Sequence, residues 1–401
     1  MVTMERAYKF RAYPSQSQKS ALNHQMQLSK ELYNLLLEQS KKYYEETGKT
    51  LTEYRMNVWL TQLKKERPEF KEIHSQVLQN VSKRISEAYK SFFRRCKAKK
   101  TGKKVKVGFP RYKKFVSSLT FPQAGGFSIG KKKVRLSKIG NVNFVNHREI
   151  DGTPKTCTIK KTKTGEWFVT IATEKEDIFP FTNGGGAVGI DLGIKKYAVL
   201  SDGSILQNKH IPKDERRRMK RLQKIISRRK KGSNKRRKAV LKFARKYEHI
   251  SRIKEDWLHK MSRNLVNSHS FIAYEELEIA NMMRNHHLAR SIGEESWGTF
   301  TAMLQYKAES AGCVAVAVNP KNTSRTCSGC GNVQDIPLSE RTFTCVKCGM
   351  SKDRDLNASI NILARATTSG QGGSHASGDD TRPSAMEAVV AERGTKFGGA
   401  S

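Results

Sequence analysis

The chain has 401 residues, of which 76 are Lys or Arg and 37 are Asp or Glu, so its formal net charge is +39. Hydrophobic residues make up 37% of the chain, which is enough to bury the cores of several domains and excludes global disorder. No apolar run approaches the ~18 residues of a membrane span, and the N-terminus lacks the apolar segment of a secretion signal. We therefore expect a cytoplasmic protein with a polyanionic partner and no membrane partner.

The predicted elements of the first part combine strands and helices. Residues 7–13 alternate in polarity and predict a strand that ends at Pro14. From Ser15 to about Cys96 the apolar residues have helical spacing with two interruptions, which predicts about three helices. Residues 115–175 return to short strands separated by glycine-containing turns. The helices are therefore predicted to be inserted into a β-barrel whose first strand is residues 7–13.

A second part is predicted after the glycine linker at residues 183–186. Its strands alternate with helices after an initial β-hairpin, which indicates an α/β core. From Thr367 onward the chain is rich in Gly and Ser, and we expect this tail to be disordered. The predicted elements are strands at 187–191 and 197–200, a hairpin turn at 201–204, a basic helical hairpin at 213–248 broken at Gly232, a helix near 257–265, a strand at 270–275, a helix at 297–311 and a strand at 313–318.

Most of the positive charge lies in two segments. Residues 94–114 carry 11 basic residues and no acid, and residues 209–246 carry 19 basic residues against two acids, so together they hold +28 of the +39. Blocks of one sign repel themselves unless an anion neutralises them, which favours nucleic acid over an ordinary solvated helix face. Aromatic residues interleaved with the first block are suited either to stacking on bases or to packing alone. The candidate contacts are Arg94, Arg95, Lys103, Lys104, Arg111, Arg228, Arg229, Lys230, Lys231, Arg236 and Arg237.

Four of the seven cysteines form two Cys-x-x-Cys pairs with fourteen residues between them. The odd total and this clustering favour a metal site in a reducing compartment over a disulfide framework. Four thiolates complete a tetrahedral zinc site and leave no open position, so we predict one structural Zn²⁺. A redox role needs only one such pair, and the spacing is not that of the common iron–sulfur proteins. The predicted ligands are Cys327, Cys330, Cys345 and Cys348.

Three acidic residues stand at the ends of predicted elements. Asp191 and Glu275 each end an apolar strand, and Asp355 opens a helix directly after the cysteine segment. Each alone is typical of a turn or of a helix N-cap. Together, in this order, they are typical of a ribonuclease H-like nuclease, in which two Mg²⁺ about 4 Å apart let carboxylates converge and support phosphodiester hydrolysis.

Several longer motifs can be compared with known families. They are GIDLGIK (189–195), EEL (275–277), TSRTCSGCG (323–331), FTCVKCG (343–349), DRDLNASINI (353–362) and LQNVSKRISEAYKSFFRR (78–95). In these motifs and their order the chain resembles TnpB, the RNA-guided endonuclease family of insertion-sequence transposons, which is related to the compact type V CRISPR effectors. The resemblance covers about residues 5–365.

The resemblance implies a multidomain fold, α/β plus β-barrel. In that fold an RNase H-like (RuvC) nuclease domain contains an inserted zinc ribbon, and an OB-like wedge barrel contains an inserted helical recognition lobe. The implied domains are the wedge barrel at 1–14 and 115–182, the recognition lobe at 15–114, the nuclease domain at 184–320 and 351–366, the zinc ribbon at 321–350 and the disordered tail at 367–401.

The resemblance also implies the site residues and the partners. The catalytic triad and its two Mg²⁺ ligands map onto Asp191, Glu275 rather than Glu276, and Asp355 rather than Asp353. Gln79 matches a family position that contacts a short motif beside the target, and its amide can bond to adenine N6 and N7 together. Its alternative role is simply that of an exposed helix residue. The implied partners are a guide RNA from the transposon end and target double-stranded DNA, bound by a monomeric protein in the prokaryotic cytoplasm, associated with the nucleoid.

Three other classes of protein remain as alternatives. A nuclease-inactive, RNA-guided DNA-binding repressor is expected to lack one or more of the acids, all of which are present here. An RNase H-fold transposase also uses three carboxylates, but the cysteine segment between the second and third acids favours the guided nuclease. A zinc-ribbon transcription or ribosomal factor needs no triad.

Overall fold

A computed structural model describes residues 2–102, 104–122, 124–177, 183–337 and 340–369, and it shows a mixed α/β protein. The chain divides into two compact units, Met1–Ile178 and Phe179–Ser401. Within the described residues no helix is both long enough and apolar enough to cross a bilayer. Most of the predicted tail, from residue 370, lies outside the described residues, whereas residues 367–369 belong to the last helix. The prediction that the tail begins at Thr367 is therefore wrong by three residues.

The first unit contains an antiparallel sheet of seven described strands, in the order β2-β6-β7-β1-β5-β4-β3. β1 pairs with β7 along nearly its whole length and with β5 at its C-terminal end, so strands from both sides of the helical segment share one sheet. Among the described pairings β2 and β3 are the two edges and do not pair with each other; the OB-like barrel stays a prediction. The strands are β1 Val2–Tyr13, β2 Ser118–Phe121, β3 Phe127–Ile129, β4 Lys133–Leu136, β5 Gly140–Phe144, β6 Thr153–Lys161 and β7 Trp167–Asp177.

The helical segment of this unit contains three long helices in its described residues, which confirms the prediction from hydrophobic spacing. A reciprocal capping box between Ser15 and Gln18 begins the first helix, and Gly48, in the left-handed conformation with φ 68°, ends it. The buried faces of the helices and of the sheet form one continuous core. The helices are α1 Gln16–Thr47, α2 Glu53–Glu66 and α3 Ser75–Lys100, with a short 3₁₀ turn at Pro68–Glu72.

The second unit contains a sheet of five described strands, in the order β10-β9-β8-β11-β12. The first three pair antiparallel, whereas β11 runs parallel to both β8 and β12. This arrangement confirms the predicted α/β core with an initial hairpin. The strands are β8 Gly186–Leu192, β9 Lys196–Leu200, β10 Ile205–Gln207, β11 His269–Glu275 and β12 Val314–Val318, with a separate small hairpin of β13 Thr342–Thr344 and β14 Ser351–Asp353.

The helices of the second unit include the predicted basic hairpin. Its second helix runs without a break to Ser268, so the separate helix predicted near 257–265 is wrong. No Gly or Pro lies between residues 234 and 268, and nothing in that stretch ends the helix. The helices are α4 Lys213–Ser227, α5 Asn234–Ser268, α6 Ile279–Met282, α7 Ala289–Glu295, α8 Trp297–Ala311 and α9 Arg354–Ser369.

Candidate functional site

Asp191 and Glu275 lie side by side at the carboxyl ends of two neighbouring parallel strands. In the register of β8 and β11, Ile190 pairs with Tyr274, and the two acids are the next residues on each strand. Ile190 and Tyr274 are buried in the core, while both acids are half-buried at its edge. Glu276 is exposed. The register therefore places Glu275, and not Glu276, beside Asp191.

The third acid reaches the same edge on helix α9. This helix packs closely on β8 at Gly189, where an added Cβ would lie only 2.1 Å from the carbonyl oxygen of Ser359. Asp353 caps the helix, because its Oδ1 accepts hydrogen bonds from the backbone N–H groups of Asp355 at 2.9 Å and Leu356 at 3.2 Å. The Asp355 carboxylate makes no contribution to this cap and is half-buried.

The ionisation of Asp191 is affected by burial and by the other two acids. Burial raises the pKa of Asp191 well above its usual value, and the negative charges of Glu275 and Asp355 raise it further. Burial also raises the pKa of Glu275, while the Thr323 hydroxyl, which donates a hydrogen bond to its Oε1, acts in the opposite direction. Like charges held together in this way are unfavourable unless protons or cations neutralise them.

The donor set of these acids fits Mg²⁺, which prefers carboxylate oxygens and usually retains several water ligands. Among the described residues, the group of side chains that are close enough together to hold a metal ion consists of the four cysteines, and the three acids do not form such a group.

The four predicted cysteines converge on one point. Their sulfur atoms all lie within 4.8 Å of one another, with Cys327 Sγ and Cys348 Sγ 3.7 Å apart and Cys330 Sγ and Cys345 Sγ 3.6 Å apart. A tetrahedral zinc ion with Zn–S bonds of ~2.3 Å requires sulfur separations of about 3.8 Å. The sulfur geometry therefore fits Zn²⁺.

Two equivalent turns hold the sulfurs in place. The N–H of Gly331 donates to the Cys327 carbonyl at 2.9 Å, and the N–H of Gly349 donates to the Cys345 carbonyl at 3.0 Å. Both glycines have positive φ, of 73° and 72°, which other residues adopt only with strain. Backbone N–H groups of Cys348 and Lys347 lower the pKa of Cys345 to about 6, which favours the thiolate that binds metal.

The sequence prediction missed two asparagines on the buried side of α9. Asn357 and Asn361 bond to the backbone of residues 323–328, the segment that enters the first cysteine turn. They lie four residues apart in DRDLNASINI, so they share one face of the helix. The sequence does carry a signal for them, because two asparagines one helical turn apart interrupt an otherwise apolar helix face.

The predicted nucleic-acid contacts fall into two groups. In the first group, the guanidinium groups are hydrogen-bonded to carbonyls of the protein's own backbone. Arg95 donates to the Gly108 carbonyl at 3.1 Å, Arg229 to the Lys235 carbonyl, and Arg236 to the Ile226 carbonyl at 2.6 Å. Lys103 lies outside the described residues. The exposed members are Arg94, Lys104, Arg111, Arg228, Lys230, Lys231 and Arg237.

Gln79 and the interleaved aromatic residues lie in the first unit. Gln79 is exposed on α3, between Leu78 and Val81, which are buried. The rings of Phe92 and Phe109 pack edge to face with centroids 5.2 Å apart. Phe109 nevertheless keeps 44% of its surface exposed, so this contact leaves both packing and base stacking open for it.

Models of known protein families match both units. The IS605 OrfB family model, described as a probable transposase, matches residues 170–286, and a model described as the Cas12f1-like TNB domain matches residues 297–362. A helix-turn-helix model matches residues 1–49, where the described residues form strand β1 and the single long helix α1.

Known relatives match nearly the whole chain. A Streptomyces pristinaespiralis protein named as a proposed RNA-guided DNA endonuclease is 30% identical over 392 residues, or 96% of this chain and 93% of that protein. InsQ of Escherichia coli K12, named in the same way, is 29% identical and covers 89% of this chain and 91% of its own length. The structure of Cas12f1 with its guide RNA and target DNA matches with a TM-score of 0.56 and 14% identity, covering 90% of this chain and 99% of that one, which shows a shared fold. The chain therefore belongs to the TnpB family, the family of insertion-sequence OrfB proteins.

Proposed function

We propose that the protein is an RNA-guided DNA endonuclease of an insertion-sequence transposon, which cuts target DNA beside a short transposon-associated motif. The observation that carries this proposal is the register that places Asp191 beside Glu275, with the helix of Asp355 packed on the same strand at Gly189, in a chain that matches its family over nearly its full length. A guide RNA from the transposon end and the target double-stranded DNA are the proposed partners, in the prokaryotic cytoplasm and with one protein copy per ribonucleoprotein.

The proposed reaction is hydrolysis of a phosphodiester bond. Asp191, Glu275 and Asp355 would together hold two Mg²⁺, which supply an activated water and stabilise the leaving oxygen when bound. The closeness of Asp191 to the other two acids makes a fully ionised metal-free site unfavourable, so the same residues have a strong electrostatic preference for divalent cations. Arg341 Nη1 lies 4.0 Å from Asp355 Oδ1, where it partly balances the negative charge of the carboxylates.

The two units have different proposed roles. The second unit corresponds to the RuvC-type nuclease domain with its zinc ribbon, and the first to the wedge barrel with its recognition lobe. The segments 94–114 and 209–246 would bind guide RNA and guide–DNA heteroduplex through phosphates, because base pairing already reads the sequence. Gln79, exposed on α3, is the proposed contact to the short DNA motif.

The proposal is tested first by sequencing the RNA that co-purifies with the protein and then by measuring cleavage of a DNA that matches it. We expect Mg²⁺-dependent cleavage by the wild type and by Glu276→Ala, an exposed carboxylate next to the site that serves as the matched control. Asp191→Ala, Glu275→Ala and Asp355→Ala should each reduce cleavage to background, while RNA and target binding persist.

The outcomes separate the alternatives. Target binding without cleavage by the wild type would support a guided repressor and contradict the nuclease. Joining of DNA ends to a target without any bound RNA would support a transposase. Loss of cleavage in Glu276→Ala with full activity in Glu275→Ala would show that the second acid is misassigned.

A further inference from the structure

A short segment, Thr323–Ser328, connects strand β12 to the first cysteine turn and contains the zinc ligand Cys327. Thr323 is buried, with 3% of its surface exposed. Its hydroxyl donates a hydrogen bond to Oε1 of Glu275, 48 residues earlier in the chain, and the Pro320 carbonyl, at 3.1 Å, is a second and longer acceptor for the same hydroxyl. The segment that enters the zinc site therefore contacts one of the three acids directly.

The same segment is bonded to the helix that carries another of the acids. Asn361 Nδ2 donates to the carbonyls of Thr323 at 2.9 Å and Thr326 at 2.6 Å. Asn357 Nδ2 donates to the Thr326 carbonyl at 2.7 Å, and Asn357 Oδ1 accepts from the N–H of Ser328 at 2.9 Å. Asn357 is fully buried, with 0% exposure. Water cannot easily replace these bonds, because an unsatisfied buried amide costs more than an exposed one.

We propose that the segment Thr323–Ser328 is a positioning element that ties the zinc site to the catalytic acids, with Thr323 as the positioning residue for Glu275. This inference rests on the proposed nuclease function and deepens it. Thr323 fixes the orientation of a long carboxylate side chain, and Asn357 and Asn361 fix the distance between that carboxylate and α9. The zinc site thereby influences the positions of both Glu275 and Asp355, because it anchors the segment that is hydrogen-bonded to Glu275 and to the helix carrying Asp355.

The Glu275 side chain needs such a partner because it is flexible. Glu275 is at the end of its strand and has several rotatable bonds, so without a partner its carboxylate adopts many orientations. Misplacement of a reacting group by 1 Å can reduce a rate about 10²-fold. Residues that orient a metal-binding carboxylate by hydrogen bonding typically change metal affinity or activity about 10- to 100-fold when they are lost.

The first experiment compares Thr323→Val, which removes the hydroxyl at nearly constant shape, with Thr323→Ser, which keeps it. The matched control is Thr326→Val in the same segment, because the Thr326 hydroxyl donates to the Asn322 carbonyl at 2.8 Å and not to an acid. The purified ribonucleoprotein is assayed for kcat and KM on a guide-matched DNA, for zinc content, and for Mn²⁺ affinity by electron paramagnetic resonance.

We expect Thr323→Val to lower kcat and weaken Mn²⁺ binding, each by about 10- to 100-fold, with zinc content and target affinity unchanged. Thr323→Ser and Thr326→Val should remain within about threefold of the wild type. Unchanged kcat and Mn²⁺ affinity in Thr323→Val would overturn the proposal, and so would an equal loss in Thr326→Val. A wild type that binds Mn²⁺ but cleaves no guided target would refute the nuclease function, while the Mn²⁺ comparison would still decide the role of Thr323.

The second experiment tests the tie itself with a double-mutant cycle of Thr323→Val and Asn361→Leu. If Asn361 acts by placing Thr323, the double variant should be little worse than the more impaired single variant. Losses in kcat that multiply independently would show that the two residues act separately and would overturn the coupling.

Discussion

Asp353 and Asp355 are two residues apart, and the structure gives them different tasks that can be separated by mutation. Asp353 Oδ1 accepts the two N-terminal hydrogen bonds of α9, and its Oδ2 pairs with Lys196 Nζ at 3.0 Å. Burial opposes ionisation of Asp353, but the hydrogen bonds from Lys196 and from the Leu356 N–H lower its pKa. Asp353 is therefore a charged helix cap.

The stability cost of losing Asp353 can be estimated from these contacts. Replacing an N-cap aspartate by alanine costs about 1 kcal/mol, within a range of about 0.5–2 kcal/mol. The pair with Lys196 is partly exposed, with 33% and 42% of the side-chain surfaces accessible, and contributes at most about 1 kcal/mol. Asp353→Ala should therefore destabilise the second unit by about 1–2 kcal/mol, which corresponds to about 2–8 °C in Tm for a unit of this size. Asp353→Asn keeps the cap and should lose about 1 kcal/mol or less.

The assay combines thermal unfolding with guided cleavage at saturating Mg²⁺. We expect Asp353→Asn to cleave at close to the wild-type rate, and Asp353→Ala to regain most of its activity well below its lowered Tm. Asp355→Asn should not cleave at any temperature, although its Tm without divalent metal should equal or exceed that of the wild type, because it removes a negative charge from beside Asp191. If Asp353→Asn abolished cleavage while Asp355→Asn retained it, the assignment of the third acid would be wrong.

Further predictions concern the zinc site, the buried acid and the basic hairpin. Cys345→Ser should lose one equivalent of zinc by elemental analysis and lower guided cleavage, because the segment that orients Glu275 and α9 loses its anchor; full activity without zinc would contradict this. Asp191→Asn should raise Tm at neutral pH without divalent metal. A carboxyl with a raised pKa stabilises the fold below its unfolded pKa and loses that contribution as pH rises through the folded pKa. The gain in Tm should therefore vanish in acid, and a gain independent of pH would contradict the argument. Replacing the three exposed basic residues at 228, 230 and 231 by Gln should reduce the slope of log affinity for the co-purified RNA against log salt concentration by about 2–3. As a control, replacing the three exposed lysines at 131–133 by Gln should reduce this slope by less than about 1. Equal reductions would mean that the charge acts at long range and not by contact.

Much of the secondary structure was predictable because strong local signals determine it. The capping box at Ser15 and the glycine at position 48 delimit the first helix, and apolar runs with hairpin signals mark β8 and β9. The boundaries failed where no local signal exists. Helix α5 continues past residue 248 because no breaker stops it, and α9 continues to Ser369 although its last residues resemble the polar tail.

The residues of the candidate site could be proposed from the sequence, but the hydrogen bonds between them could not. The two Cys-x-x-Cys pairs and the three acids are visible as residue types at characteristic positions. The choice of Glu275 over Glu276 depends on which of the two lies beside Asp191, and only the parallel register of β8 and β11 shows this. The partners of Asn357 are 29 and 31 residues away in sequence, and no local pattern specifies which backbone groups a buried amide will meet.

The acids impose a cost on the fold that packing elsewhere must offset. Three carboxylates at one edge repel one another and resist burial, as the raised pKa of Asp191 shows. The helix carrying Asp355 is nevertheless held against β8, because Gly189 has no side chain to keep the backbones apart and because Asn357 is hydrogen-bonded to the segment that enters the first cysteine turn. Gly189→Ala would place a methyl carbon 2.1 Å from the Ser359 carbonyl oxygen and must push α9 away. Such a shift relieves the repulsion at the same time as it separates the acids, so the variant should lose activity out of proportion to its loss of stability.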